Sequence, residues 1–372
     1  NILIKDGTNF VSEAAICGQE HLHVRWKTPG RDKVTDITFQ IFKISQRTEV
    51  EQKNIKLYTF HFISLEGIKN STTRIDQHYS TSIENIVKDV FNNYLRNDDI
   101  PKELIDVERT RDRVAVTVPG WKPLKLINWL CRRSISETYG NADYLFYETV
   151  NGFHFISCAA LAKQEVVQNY IQSPLPIRPI DDERVHELDP EFRTYEKSVI
   201  HESFNMLNHT QKATFASKLI THDLVTKKIE EHTYDYLKRT GSDIYAIGQV
   251  QSHMEPYPIL AENDMLTKQA NSNVFFYPKH KDLYAGFKNN HAEGWLQERL
   301  SNIHLLGHIK VSLTVPGDSG GPGRSREVGD IVTVQLPAVE YEPSHLEVDP
   351  YLKGKYMITA IRHIINIDNY KL

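Results

Sequence analysis

Tyr144-Leu145-Phe146-Tyr147-Glu148-Thr149-Val150-Asn151-Gly152-Phe153-His154-Phe155-Ile156-Ser157 is the most legible stretch of this chain. Two aromatic-rich arms flank an Asn-Gly pair, which favours the positive φ angles of a two-residue hairpin turn. The segment therefore predicts two antiparallel strands closed at Asn151-Gly152. Just upstream, Pro123 suits the first turn of a helix, with Leu124, Ile127, Leu130 and Cys131 on one face. Arg113 to Val118 alternates as a short strand. Before that, Ile83, Ile86, Val87, Val90, Phe91, Tyr94 and Leu95 recur at helical spacing, and Thr81 or Ser82 is placed to cap the free amides. Asn97, Asp98, Asp99 and Pro101 end that helix.

Outward from this mixed α/β centre the pattern turns to strands. Between Glu20 and Glu66, Ile37, Phe39 and Ile41 alternate with polar neighbours, as do Tyr58, Phe60 and Phe62. A polar connection from Ser45 to Asn54 separates the two, which predicts an antiparallel pair. On the other side, Ser173 to Pro190 carries Pro174, Pro176, Pro179 and Pro190 among charged residues and reads as an extended linker at a domain boundary. Beyond it come β-like stretches at 213–225 and 228–237. A helix follows over His291 to Ile303, with Trp295, Leu296, Leu300 and Ile303 expected inward. The last strands are expected at Ile309 to Val315, Asp330 to Leu336 and Tyr356 to Ile365. The fold class is thus α+β and β-rich, without a heptad or short repeat.

Composition narrows the function. A chain of 372 residues suggests two or three domains. Its net charge of −4 argues against a protein that grips nucleic acid by neutralising phosphates. No run of about 18 apolar residues is present, so no membrane insertion is expected. Cys17, Cys131 and Cys158 lie far apart with no CxxC spacing, and no charged-then-apolar leader is visible. Free thiols in a chain that folds in a reducing cytoplasm are the expectation, and the sequons at Asn70 and Asn208 would matter only after secretion.

Several motifs suggest chemistry, and each has a plainer reading. Gly317-Asp318-Ser319-Gly320-Gly321-Pro322 matches the nucleophile segment of trypsin-like serine proteases. A serine needs a histidine base, however, and no histidine sits in that family's context. The cysteine expected just before the motif is replaced by Val315-Pro316. Turn chemistry between a strand at Lys310 to Val315 and another at Asp330 to Leu336 accounts for the hexapeptide. His304 and His308 have the spacing of a zinc helix but lack the glutamate after the first histidine. His21 and His23 share one strand face without a third ligand. Asp181, Asp182 and Glu183 sit in the linker, where no cleft shifts their pKa values apart. Lys227-Lys228 with Glu230-Glu231 reads as an exposed charged face. No catalytic, cofactor-binding or metal-binding residue is assigned, and no enzyme or cofactor is expected.

Taken together, several segments resemble the T4-type central hub proteins of myophage baseplates. They are Gly18 to Leu22, Val24 to Pro29, Phe60 to Glu66, Asn128-Trp129-Leu130 leading into Tyr144 to Phe155, and Thr214 to Leu219 with Asp223-Leu224. Val315 to Ser319, Val328-Gly329-Asp330, Gly354-Lys355-Tyr356 and Ile361-Arg362-His363 complete the set. Their order and spacing cover most of the chain, and the family is related to the hub portion of type VI secretion spike proteins. The Val-Pro-Gly-Asp-Ser segment belongs to that pattern, with a longer loop here at Gly320 to Glu327.

The resemblance implies two tube-like antiparallel β-barrels per chain. One would occupy 1–78, and the second 196–240 with 307–372. A mixed α/β domain would fill 79–195, and an inserted segment at 241–306 would pack against it. It further implies a homotrimeric ring that adapts a sixfold tail tube to a threefold central spike. Its expected partners are the spike, the tail tube or a tube initiator, and other baseplate proteins. DNA would transit the bore without specific binding, and the protein would reside in the virion.

Overall fold

The computed structural model describes residues 1–28, 33–50, 55–98, 100–172, 193–202, 205–236, 266–280, 284–318, 326–337, 348–349, 352–366 and 369–372. The expected linker at 173–190 lies outside them.

Strand β1 (Ile2–Asp6) leads through the short helix α1 (Phe10–Glu13) to β2 (His21–Lys27), β3 (Val34–Val50) and β4 (Ile55–Ile63). They form one antiparallel sheet in the order β1-β4-β3-β2. The expected connection from Ser45 is instead a continuation of β3, which runs to Val50. Its polar residues still find backbone partners on β4, across register shifts at Ile41/Lys43 and Ser45/Thr48. Such bulges bend a strand and increase twist. The outcome is a curved half-barrel. Its buried apolar core is small: Ile41, Tyr58 and Phe60. The Tyr58 hydroxyl donates to Asp6 Oδ2 at 3.2 Å, while Asp6 also accepts the Thr8 and Phe10 amides at 2.8 Å each.

The centre is different in kind. It comprises α2 (Leu65–Thr72), β5 (Ile75–Ser82), α3 (Ile83–Val90), β6 (Glu103–Val107), β7 (Arg113–Trp121), α4 (Pro123–Arg133), β8 (Tyr144–Glu148), β9 (Gly152–Ser157) and α5 (Cys158–Ala162). Helix α3 continues as a π turn over Phe91–Leu95. Both helices lay their apolar faces on β5, β7, β8 and β9, and one buried cluster runs from Ile75 to Phe155. Two local expectations change. Ser82 precedes α3 but its side chain caps no amide; Asn70, read above only as a sequon, accepts the Leu124 amide at 2.9 Å and so caps α4. The turn is also displaced by one residue. Thr149 N donates to Gly152 O at 2.7 Å, which leaves Val150-Asn151 and not Asn151-Gly152 between the bonded residues, and neither Asn151 nor Gly152 has a positive φ. Glycine is needed at 152 because a Cβ there would lie 2.5 Å from the Glu103 carbonyl of β6.

The remaining strands are β10 (Val166–Gln172), β11 (Thr194–Tyr195), β12 (Lys197–Glu202), β13 (Ala216–Asp223), β14 (Ile229–Asp235) and β15 (Val274–Lys279), with helix α6 (Met206–Gln211) between β12 and β13. Helix α7 (Leu296–Leu306) then precedes β16 (Lys310–Thr314), β17 (Ile331–Val334), β18 (Gly354–Met357), β19 (Ile364–Ile365) and β20 (Tyr370–Lys371). They assemble as β11-β10-β17-β18, β14-β13-β15, and the pairs β12-β16 and β19-β20. The expected reversal of β16 into β17 is therefore a crossover between sheets, since β16 pairs with β12 while β17 pairs with β10 and β18.

Around helix α7 the expectation holds in part: Trp295 is buried and Leu296 packs against its cluster, but Leu300 and Ile303 are only half-buried and the helix's own buried residues are Gln297, Ser301 and Asn302. The physical reason is the backbone beneath it: Gln297 donates to Ser217 O at 3.0 Å and Ser301 to Thr214 O at 2.7 Å, satisfying carbonyls around β13. On its other side Arg299 donates to Cys131 O and Tyr144 O at 2.9 and 3.1 Å, so α7 is clamped to the α/β centre. The fold is α+β and β-rich; among the described residues neither β region closes into a barrel.

Candidate functional site

The protease-like segment is built into the packing. The Gly317 amide donates to Tyr370 O at 2.8 Å, and a Cβ on Gly317 would lie 2.1 Å from the Tyr370 ring. Glycine is there so that the ring can lie against the backbone. Tyr370 in turn takes a hydrogen bond from Trp26 Nε1 at 3.2 Å and contacts His363 Nδ1 at 2.9 Å, which ties β20 to β2 of the first sheet. Asp318 is buried 3.7 Å from the Arg326 guanidinium, whose plane faces Tyr170. Its carboxylate is thus engaged by an arginine. Ser319 lies outside the described residues.

The following turn joins β17 to the β8–β9 hairpin. Gly329 has φ +96°, and a Cβ there would meet the Tyr147 hydroxyl at 2.3 Å. Asn151 donates to the Glu327 carboxylate, and Glu327 N donates to Asp330 Oδ2 at 2.9 Å. Val328-Gly329-Asp330 therefore forms a tight joint between the α/β centre and the last sheet.

The other candidates separate clearly. His23 on β2 pairs with Asp36 of β3, while His21 makes no third ligand with them. Asp181, Asp182 and Glu183 lie outside the described residues. His304 and His308 are not partnered with each other; His308 Nδ1 lies 3.1 Å from His209 Nε2 instead. Glu230 is not simply a solvated charge: its carboxylate takes Lys279 at 2.8 Å and pairs with Lys228 at 3.0 Å. These lysines hold the Glu230 carboxyl down at about 2. Cys131 and Cys158 are buried, and burial pushes the Cys131 thiol up to about 12, so neither is a nucleophile.

A cavity of about 420 Å³ lies between the first sheet and the α/β centre, lined by His23, Asp36, Glu66, Lys102, Glu103 and Asn151. Its charges are largely matched within the chain: His23 with Asp36, Lys102 with Glu148, and Arg96 with Glu103. Burial pushes the Glu66 carboxyl above its ordinary value. The cavity pairs no nucleophile with a base.

What the surface does offer is apolar area on sheets with open edges. On the half-barrel, Leu3 is 68% and Phe42 52% exposed. On β12, Val199 and Ile200 face solvent, and on the edge strand β15 Val274 and Phe276 do the same. Alternation along the sequence marks β3 but not β1, β12 or β15, and it does not say which face a neighbour covers. No described helix is long and apolar enough to cross a membrane.

No family model and no curated protein matches this chain. Two solved structures align over most of it. One is the tail protein from Neisseria meningitidis MC58, at 9% identity and TM-score 0.44, covering 94% of this chain and 85% of that one. The other is the 43 kDa tail protein of prophage MuSo2 from Shewanella oneidensis, at 9% identity and TM-score 0.47, covering 99% and 84%.

Proposed function

We propose that this chain is a non-enzymatic structural protein of a contractile phage tail, acting as the baseplate hub. Three copies form a ring that accepts a sixfold tail tube on one side and a threefold spike on the other. The observation that carries this reading is the half-barrel of β1-β4-β3-β2, whose edge strands β1 and β2 pair with no further strand among the described residues and whose surface exposes Leu3 and Phe42.

A sheet edge is a row of unsatisfied donors and acceptors, and proteins normally blunt or cover it. Here the curvature suits completion by a neighbouring subunit, so that edges and apolar patches are buried in a ring. The ordered sequence resemblance to hub proteins supplies the tail context. A second β region, built from β10 to β18, gives each subunit two units to present, which is what lets three chains imitate six. The net charge of −4 suits a bore that lets DNA slide past without holding its phosphates. Engagement of Asp318 by Arg326 favours a packing role for the Gly-Asp-Ser segment over a hydrolytic one.

Sedimentation of the purified chain, alone and with its spike protein, tests the reading. A species of three times 43.0 kDa is the expected result. A chain that stays monomeric with the spike present overturns it.

A further inference from the structure

Two clusters of metal-ligating side chains stand out among the described residues, and they differ in what already fills them. Glu230, His232 and Glu293 bring ligand atoms within 4.8 Å of one another. The Lys279 ammonium lies between their carboxylates, 2.8 Å from Glu230 Oε2 and bonded to Glu293. The chain supplies its own cation there, and a metal ion would need to displace it.

The second cluster joins α6 to the segment just past α7. His209 Nε2 and His308 Nδ1 converge to 3.1 Å, with ring planes 45° apart. Two bonds of ~2.0–2.1 Å to one tetrahedral ion place imidazole nitrogens about 3.3 Å apart. The spacing is therefore that of two ligands on a shared ion as well as that of an N–H···N bond. His209 is buried, and its Nδ1 faces Thr214 Oγ1 at 3.4 Å. An Nδ1–H directed at that oxygen leaves the Nε2 lone pair aimed at His308, the arrangement in which a ligating histidine is held by its other nitrogen.

The surrounding charges are mixed. Burial lowers both imidazoles; at His209 the neighbouring His308, His304 and Lys212 add to it, while Glu202 at the end of β12 opposes it at both rings. Glu202 is itself taken up by Lys310 and Asn205, each at 2.9 Å, so it contributes charge and not a ligand. His304 stands one turn before His308 on α7.

We propose that His209 Nε2 and His308 Nδ1 form a binding site for a divalent transition-metal ion of the zinc class, with water completing its coordination. Imidazole nitrogen suits zinc, copper, nickel and iron. Such an ion would pin α6, and with it the β12-β16 pair, to the end of α7. The site rests on this cluster alone and is independent of the tail role.

The test is titration of the full chain with Co²⁺ at about pH 7.5, followed by competition with Zn²⁺. Expected are visible d–d bands that saturate at one equivalent and vanish on adding Zn²⁺. Removing a ligand in His308→Gln should weaken Co²⁺ binding by more than the ~10–100-fold that loss of an outer hydrogen bond gives. The same change at the exposed His78 should leave it intact. Absence of saturable binding by the folded wild type overturns the proposal, leaving a hydrogen-bonded histidine pair. Binding that survives His308→Gln undiminished also overturns it.

Discussion

The α/β centre (65–162) and the shorter N-terminal half-barrel (2–63) bury their chain very differently. In the centre, Ile75, Ile83, Ile86, Val87, Val90, Phe91, Leu126, Ile127, Leu130 and Phe155 all reach 0% exposure. Among the described residues of the half-barrel Tyr58 alone does so, and its hydroxyl is bound to Asp6. Apolar burial of side chains such as these is worth ~1.5–3 kcal/mol each. The centre therefore holds most of the buried apolar core, whereas the half-barrel leaves apolar surface that, in the proposed ring, a neighbouring copy would bury. On that proposal stability and assembly are separable.

The largest test of that division is Ile86→Ala. Removing a fully buried side chain beneath α3 should cost about 2–5 kcal/mol in urea unfolding. A change under 1 kcal/mol would erase the distinction between the two regions. Next comes Gly152→Ala, where the added Cβ meets a backbone carbonyl that cannot swing aside. A loss of roughly 1–3 kcal/mol is expected, with β6 and β9 losing amide protection together. In the half-barrel, Tyr58→Phe removes one hydrogen bond to a carboxylate that keeps its amide partners. About 1–2 kcal/mol is expected from the same unfolding measurement.

Acid should sharpen the contrast further. Burial raises the Asp6 carboxyl, but hydrogen bonds from Thr8, Tyr58 and Phe10 outweigh it and hold the group below its ordinary value. A carboxyl lowered in the folded state stabilises above its unfolded value, near ~3.9, and that contribution is lost as pH falls through the lowered one. The urea midpoint should decline over this window, and Asp6→Asn should flatten the decline. The smallest effect on the subunit is expected from Leu3→Lys on the exposed edge strand. It should shift unfolding by no more than ~0.5 kcal/mol. The same substitution should disrupt association, seen as a lower mass in sedimentation.

How much of this was legible follows the same line. The α3 and α4 faces could be read because an apolar stripe of helical period needs only local sequence, and their buried residues include Ile83, Ile86, Ile127 and Leu130. Strands β3 and β4 of the half-barrel were also visible from alternation at Ile37 to Ile41 and Tyr58 to Phe62, whereas β1 was not. Failures came where a residue answers to a distant partner. Asn-Gly suggested a tight turn, yet Gly152 is dictated by the Glu103 carbonyl. Polar Gln297 and Ser301 are inward because β13 carbonyls lie beneath them. Asn70 caps a helix that starts 53 residues later, at Pro123 (123 − 70). The His209–His308 pair spans 99 residues, a separation that no spacing rule anticipates.

End-on electron microscopy of the assembled chain tests the central claim most directly. The account predicts a threefold ring whose density shows six similar β units around an open bore, two from each subunit. Single subunits at micromolar concentration with the spike present, or rings with only three such units, would contradict it.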